Sequence, residues 1–126
     1  MAVFKSAHKA DEKNYESRFL IALRKFNVHV RNMHDRYKGN SQLWEKHKRM
    51  IIYLSSILAG AYEKVIKEKV KHMDDIEGIN DVININSSFA NIVLTLSSID
   101  AISESLEKAR EICRHLTATA IELKYH

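Results

Sequence analysis

Proline is absent from this chain, and glycine occurs only at Gly39, Gly60 and Gly78. The residues that punctuate turns and β-hairpins are therefore nearly missing, which excludes a fold of many short strands and leaves a few long helices. A single cysteine, Cys113, excludes an internal disulfide and a multi-cysteine zinc site, and reads as a small apolar residue on a helix. No run of about 18 uncharged apolar residues marks a membrane span, and Met1 to Lys13 lacks the apolar centre of a secretory signal. A cytoplasmic protein, at most peripheral to a membrane, is expected.

Catalytic and metal signatures are equally sparse. The seven histidines include no His-x-x-x-His or Glu-x-x-His pair, so no metal site is expected. No glycine-rich phosphate loop or Ser/His/Asp arrangement is present, and no cofactor is expected. Arg24 with His29 and Arg110 with His115 have the Arg-x-x-x-x-His spacing of helical HEPN ribonucleases, and His115 could act there as a general acid or base beside Arg110 or Arg114. About one such pair arises by chance in a chain of this composition, so the expectation is a non-enzyme. A ribonuclease and a non-catalytic partner-binding bundle are the alternatives.

What the chain has is apolar periodicity. Phe19, Leu23, Phe26, Val30, Met33 and Tyr37 recur at alternating spacings of three and four, the seam of one helix beginning near an Asp11 cap. Gly39-Asn40-Ser41 supplies a helix-ending glycine and two N-cap residues, the chemistry of a tight turn. A second helix, from about Gln42 to His72, places its seam at Leu43, His47, Met50, Leu54, Ile57 and Ala61, continued by Val65. The acidic and asparagine-rich stretch around Gly78 reads as a break. Val82, Ile85, Phe89, Ile92, Leu96 and Ile99 then form a third seam, and Leu106, Ala109, Cys113, Leu116, Ala120 and Leu123 a fourth. The phase slips between Ser97 and Ser103, where Ser97 and Asp100 have capping-box spacing. The expected fold is all-α and a single domain: a flexible segment 1–10, a long antiparallel hairpin 11–73, and distal helices 79–126 packed on the hairpin or on a neighbouring subunit.

Charge divides along the same line. Residues 1–73 hold 16 Lys/Arg against 7 Asp/Glu, net +9, whereas residues 74–126 hold 4 against 9, net −5. A hairpin displaying these cations suits an anionic membrane or nucleic acid. The aromatic residues Tyr15, Phe19, Phe26 and Tyr37 lie on or near the apolar seam rather than forming a base-stacking platform, which favours lipid. The expected membrane-binding set is Val3, Phe4, Lys5, Lys9, Lys13, Arg18, Arg24, Lys25, Arg31 and Arg36, with Val3 and Phe4 inserting.

Three segments resemble the ESCRT-III family, in particular its archaeal cell-division branch. Leu43-Trp44-Glu45-Lys46 is similar to the step that opens the second helix in that branch, and Ala61-Tyr62 to an Ala/Tyr pair that follows. Ile92-Val-Leu-Thr-Leu-Ser-Ser-Ile-Asp-Ala-Ile102 is similar to the family's Ile-Val-Leu-Arg-Leu-x-Ser-Ile-x-x-Ile segment, with Thr95 in place of arginine and Ser103-Glu104 where the family has Gly-Asp. The resemblance implies a subunit that polymerises on negatively charged membrane and remodels it, alone or with related subunits. Nothing after His126 matches the family's C-terminal extension, so a core-only member is expected and recruitment of an ATPase is in doubt. The distal seam is expected to lack an internal partner and to pack on a neighbour through Leu106, Cys113, Leu116 and Leu123, with Glu104, Glu107 and Glu111 meeting that neighbour's basic face.

Overall fold

The computed structural model describes the backbone of residues 2–126 and the side chains from Tyr15 onward. It is all-α: helices α1 (Ala2–Tyr37), α2 (Ser41–Val70), α3 (Ile76–Ser98) and α4 (Glu104–Tyr125). Helix α1 begins at Ala2 and so takes in residues 2–10. No proline or glycine interrupts residues 2–37, and Ala, Lys and Glu there all favour helix.

The helices run up-down-up-down. Glu16 in the first half of α1 pairs with Lys69 near the end of α2, and Tyr37 stacks on His47 beside the turn, so α1 and α2 are antiparallel. Asn86 of α3 meets Cys113 and Thr117 of α4, which reverses again. α2 and α3 touch each other, and each touches both α1 and α4, whereas among the described residues α1 and α4 do not meet. The cross-section is thus a rhombus with α1 and α4 at its tips, and α2 and α3 each present one broad side.

The turns use different chemistry from that expected. No glycine has a positive φ, so Gly39 is not a left-handed cap. Asn40 alone caps α2, its Oδ1 accepting from Leu43 N–H at 3.2 Å. The second break lies before Gly78: Asp75 caps α3 by accepting from Gly78 N–H at 2.7 Å, which puts Gly78 inside the first helical turn. Between α3 and α4 the cap is Ser103, not Ser97; Ser103 Oγ accepts from Leu106 N–H and lies 3.3 Å from Ser55 Oγ of α2. Asp100 carries the left-handed conformation (φ 55°), and Ala101 N–H reaches back to Leu96 C=O at 2.9 Å while Asp100 N–H reaches Ser97 C=O at 3.2 Å. This pair of bonds is a Schellman closure with aspartate where glycine is usual.

Gly78 is required by close approach. A Cβ there would lie 1.6 Å from the His72 carbonyl oxygen, whereas one at Gly39 or Gly60 would meet nothing. Gly78→Ala is expected to cost about 1–3 kcal/mol, because backbone rather than a flexible side chain must yield. Gly39→Ala and Gly60→Ala are expected to be neutral or to gain up to about 1 kcal/mol. Urea unfolding followed by circular dichroism distinguishes the two classes.

The largest departure from the sequence reading concerns α2. Its buried side is Ile51, Ser55, Leu58, Ala59, Tyr62, Val65 and Ile66, not the seam from Leu43 to Ala61. The distal helices are the ones satisfied internally: Val82, Ile85, Phe89, Ile92 and Leu96 of α3 and Leu106, Ala109, Cys113 and Ala120 of α4 are buried in the chain's own core. Polar groups tie this core together. Tyr62 stacks on Phe89 with ring centroids 4.1 Å apart and donates its hydroxyl to Asn86 Oδ1 at 2.8 Å. Asn86 Nδ2 donates to Cys113 C=O and to Thr117 Oγ1, at 3.2 and 3.0 Å. Burial raises the Tyr62 hydroxyl far above its ordinary range and also pushes the Cys113 thiol up, so both stay protonated and serve structure. At the far end of the bundle, burial works against the charge of Lys69, but Glu16 and Asp81 outweigh it and hold its pKa above the ordinary lysine value.

Candidate interaction face on the second helix

Because α2 spends one apolar seam on the core, its other seam faces outward. Leu43, Met50, Tyr53 and Ile57 are 42, 57, 64 and 54% exposed. Their spacings of seven, three and four residues align them along one side of the helix, a stripe about 21 Å long. Exposed Lys46 and Lys64 fall within the same arc, with Arg49 at its edge and Lys67 continuing it beyond Gly60. Lys46, Arg49 and Lys67 make no ion pair among the described residues, and Lys64 lies 5.1 Å above the ring of Tyr15 on α1. Of the carboxylates on α2, Glu45 and Glu63 sit at the α4 edge, and Glu68 at the distal end pairs with Lys71. The broad side formed by α2 is therefore apolar along its middle and basic around it.

The flanking helices extend that character. Tyr15, Phe26, Met33 and Tyr37 mark the edge of α1 that borders α2, and exposed Arg18, Lys25, His29 and Arg36 recur just outside this edge. On the other flank, Ile112 and Leu116 of α4 meet Glu63, Ile66, Lys67 and Val70 of α2 around an apolar cleft of about 190 Å³. Lys108 and His115 are exposed on the same side of α4. The opposite broad side differs: α3 has no charged residue from Val82 to Ile99, and it exposes Asn84, Ser87, Asn91 and Leu94.

The residues singled out from sequence are thereby divided. Arg18, Lys25 and Arg36 border the α2 side, but Arg24 and Arg31 lie on the other edge of α1. Arg24 shares a cleft with Ser88 and Asn91, and Arg31 one with Thr95 and Ser98, all of α3. The side chains of Val3, Phe4, Lys5, Lys9 and Lys13 lie outside the described residues. On α4, Leu106 and Cys113 are buried against the same chain, Leu116 is half-buried in the α2–α4 cleft, and Leu123 is exposed. Leu106 and Cys113 are thus spent internally, because α4 packs along both α2 and α3. Glu104, Glu107, Glu111 and also Glu122 form an exposed acidic edge at the α4 tip, where Glu107 pairs with Arg110 and Glu111 with Arg114.

The ribonuclease pairs are not gathered into a site. A five-residue step turns a helix by about 140°, so His115 faces the α2 side while Arg110 reaches Glu107 on the other, and Arg24 and His29 diverge likewise. Among the described residues no group of three or more His, Cys, Asp or Glu side chains has metal-binding geometry, and no helix is long and apolar enough to cross a membrane. The outward stripe of α2 was missed from sequence because its spacing is as regular as that of the true core seam. The signal that marks it as surface is the presence of Lys46 and Lys64 within its arc. Comparison of the chain with protein-family profiles, curated proteins and solved structures finds no match.

Proposed function

We propose that this protein is a non-catalytic scaffold subunit that docks on anionic membrane through its basic side and assembles there with copies of itself or related subunits. The carrying observation is segregation of charge by face: Lys46, Arg49 and Lys67 of α2, which make no ion pair among the described residues, lie beside Arg18, Lys25 and Arg36 of α1, while Glu104, Glu107, Glu111 and Glu122 occupy the remote α4 edge. Surface-near cations each contribute about 1 kcal/mol to binding at an anionic leaflet. Such a face holds the bundle flat and leaves the α4 edge, with Glu104 and Glu122 beside the paired Glu107 and Glu111, exposed to the cationic flank of a neighbour. The resemblance to ESCRT-III subunits in Leu43–Lys46, Ala61-Tyr62 and Ile92–Ile102 supports the assembling role.

The purified chain is expected to sediment with vesicles of phosphatidylcholine and phosphatidylserine and not with phosphatidylcholine alone. Salt should release it, since the Debye length falls to about 3 Å at 1 M. Equal, salt-insensitive binding to both vesicles contradicts the reading. So does cleavage of labelled RNA that is lost in His115→Ala.

A further inference from the structure

We infer that the α2 stripe formed by Leu43, Met50, Tyr53 and Ile57 inserts into the interfacial layer of an anionic bilayer, with Lys46, Arg49, Lys64 and Lys67 placed at the lipid headgroups. This rests on the membrane reading above and adds to it a specific face and an apolar contribution. Four large apolar side chains lie in line on one helix side, each more than two-fifths exposed. An apolar stripe bordered by cations is the pattern of a helix lying in the plane of a membrane interface. Tyr53, the most exposed of the four, carries an apolar ring and a polar hydroxyl, which suits the headgroup boundary. The lysines can lay their methylene stems along the stripe and lift their ammonium groups to phosphate.

Charge complementarity selects lipid over a second copy as the occupant. Lys46, Arg49 and Lys67 have no carboxylate partner among the described residues, so the occupant must supply negative charge together with apolar contact. The acidic edge of α4 in another copy supplies the first only: Glu107 and Glu111 are already paired with arginines, and the residues aligned with Glu104, Glu111 and Glu122 are Lys108, His115 and Ala118 rather than large apolar groups. An anionic bilayer supplies both, with phosphate and carboxylate above acyl chain.

The test uses the full chain with Trp44→Phe and Tyr53→Trp, which moves the single indole onto the stripe. On phosphatidylserine-containing vesicles its emission should shift to the blue and be quenched by brominated acyl chains. Ile57→Asp, at an exposed position, should weaken vesicle binding about tenfold or more without changing the circular dichroism spectrum. If the chain binds these vesicles but the indole is unquenched and Ile57→Asp has no effect, docking is electrostatic only; the insertion is refuted and the membrane reading survives. If the chain ignores vesicles, both fall. The insertion is also refuted if Ile57→Asp dissolves an oligomer that forms without lipid, or if the indole responds to RNA and not to vesicles.

Discussion

Asn86→Ala is expected to destabilise the fold by about 3 kcal/mol, roughly a fifth or more of the stability of a typical domain. The loss combines a buried cavity with an orphaned donor, because the Tyr62 hydroxyl has Asn86 Oδ1 as its acceptor at 2.8 Å and no solvent within reach. Tyr62→Phe leaves the opposite orphan, the Asn86 oxygen, and should cost about 1–3 kcal/mol. Asn86→Leu keeps the branched side-chain shape and strands only the tyrosine hydroxyl, so its cost should be similar. Combining Tyr62→Phe with Asn86→Leu removes both orphans. Cys113 C=O retains the Thr117 hydroxyl as a donor at 2.7 Å, so the double variant leaves no new unsatisfied group. The expected result is a coupling of about 1–3 kcal/mol, with the double variant more stable than the sum of the singles. Urea unfolding monitored at the helical circular dichroism band measures all four corners of the cycle. Strictly additive costs would mean that Tyr62 and Asn86 are not joined in the folded chain.

Much of this architecture is legible in the sequence, for identifiable reasons. The seams of α1 and α3 are unambiguous, since Phe19, Leu23 and Val30 or Ile85, Phe89 and Ile92 have no competing apolar row on the same helix. The all-α class follows from the same periodicity together with the lack of proline. Helix α2 is different because it carries two apolar rows, and spacing alone favours Leu43–Met50–Ile57 as strongly as Ile51–Leu58–Val65. Charge decides between them: the first row shares its arc with Lys46 and Lys64, whereas the second meets no charged side chain from Ile51 to Ile66. Once that row turns inward, α4 finds its partners within the chain, and Leu106 and Cys113 become core.

The placement of the cations could not be read as easily. Arg18, Arg24, Lys25, Arg31 and Arg36 all lie off the α1 seam, but which of them border α2 and which border α3 is set by how the bundle closes. Clefts containing Ser88, Asn91, Thr95 and Ser98 of α3 beside Arg24 and Arg31 settle that division. The turn chemistry depends equally on tertiary structure. Gly78 is held by the approach of the His72 carbonyl, and Ser103 is chosen over Ser97 because its hydroxyl meets Ser55 across the interface.

The division of cations gives the most direct test of the membrane account, by comparing two variants of equal net charge. Lys46→Glu with Arg49→Glu reverses two charges on the α2 side; Arg24→Glu with Arg31→Glu reverses two on the α3 side. At about 1 kcal/mol per surface-near cation, the first pair should weaken binding to phosphatidylserine-containing vesicles at least about 30-fold. Because Arg24 and Arg31 lie on the α1 edge remote from the stripe, the second pair should alter binding by no more than a few-fold, the residual effect of net charge. Vesicle partition measured for both variants at a single salt concentration decides the matter. A large loss confined to Lys46→Glu/Arg49→Glu is the predicted result, and equal losses from both pairs, or a larger loss from Arg24→Glu/Arg31→Glu, would contradict docking through α2.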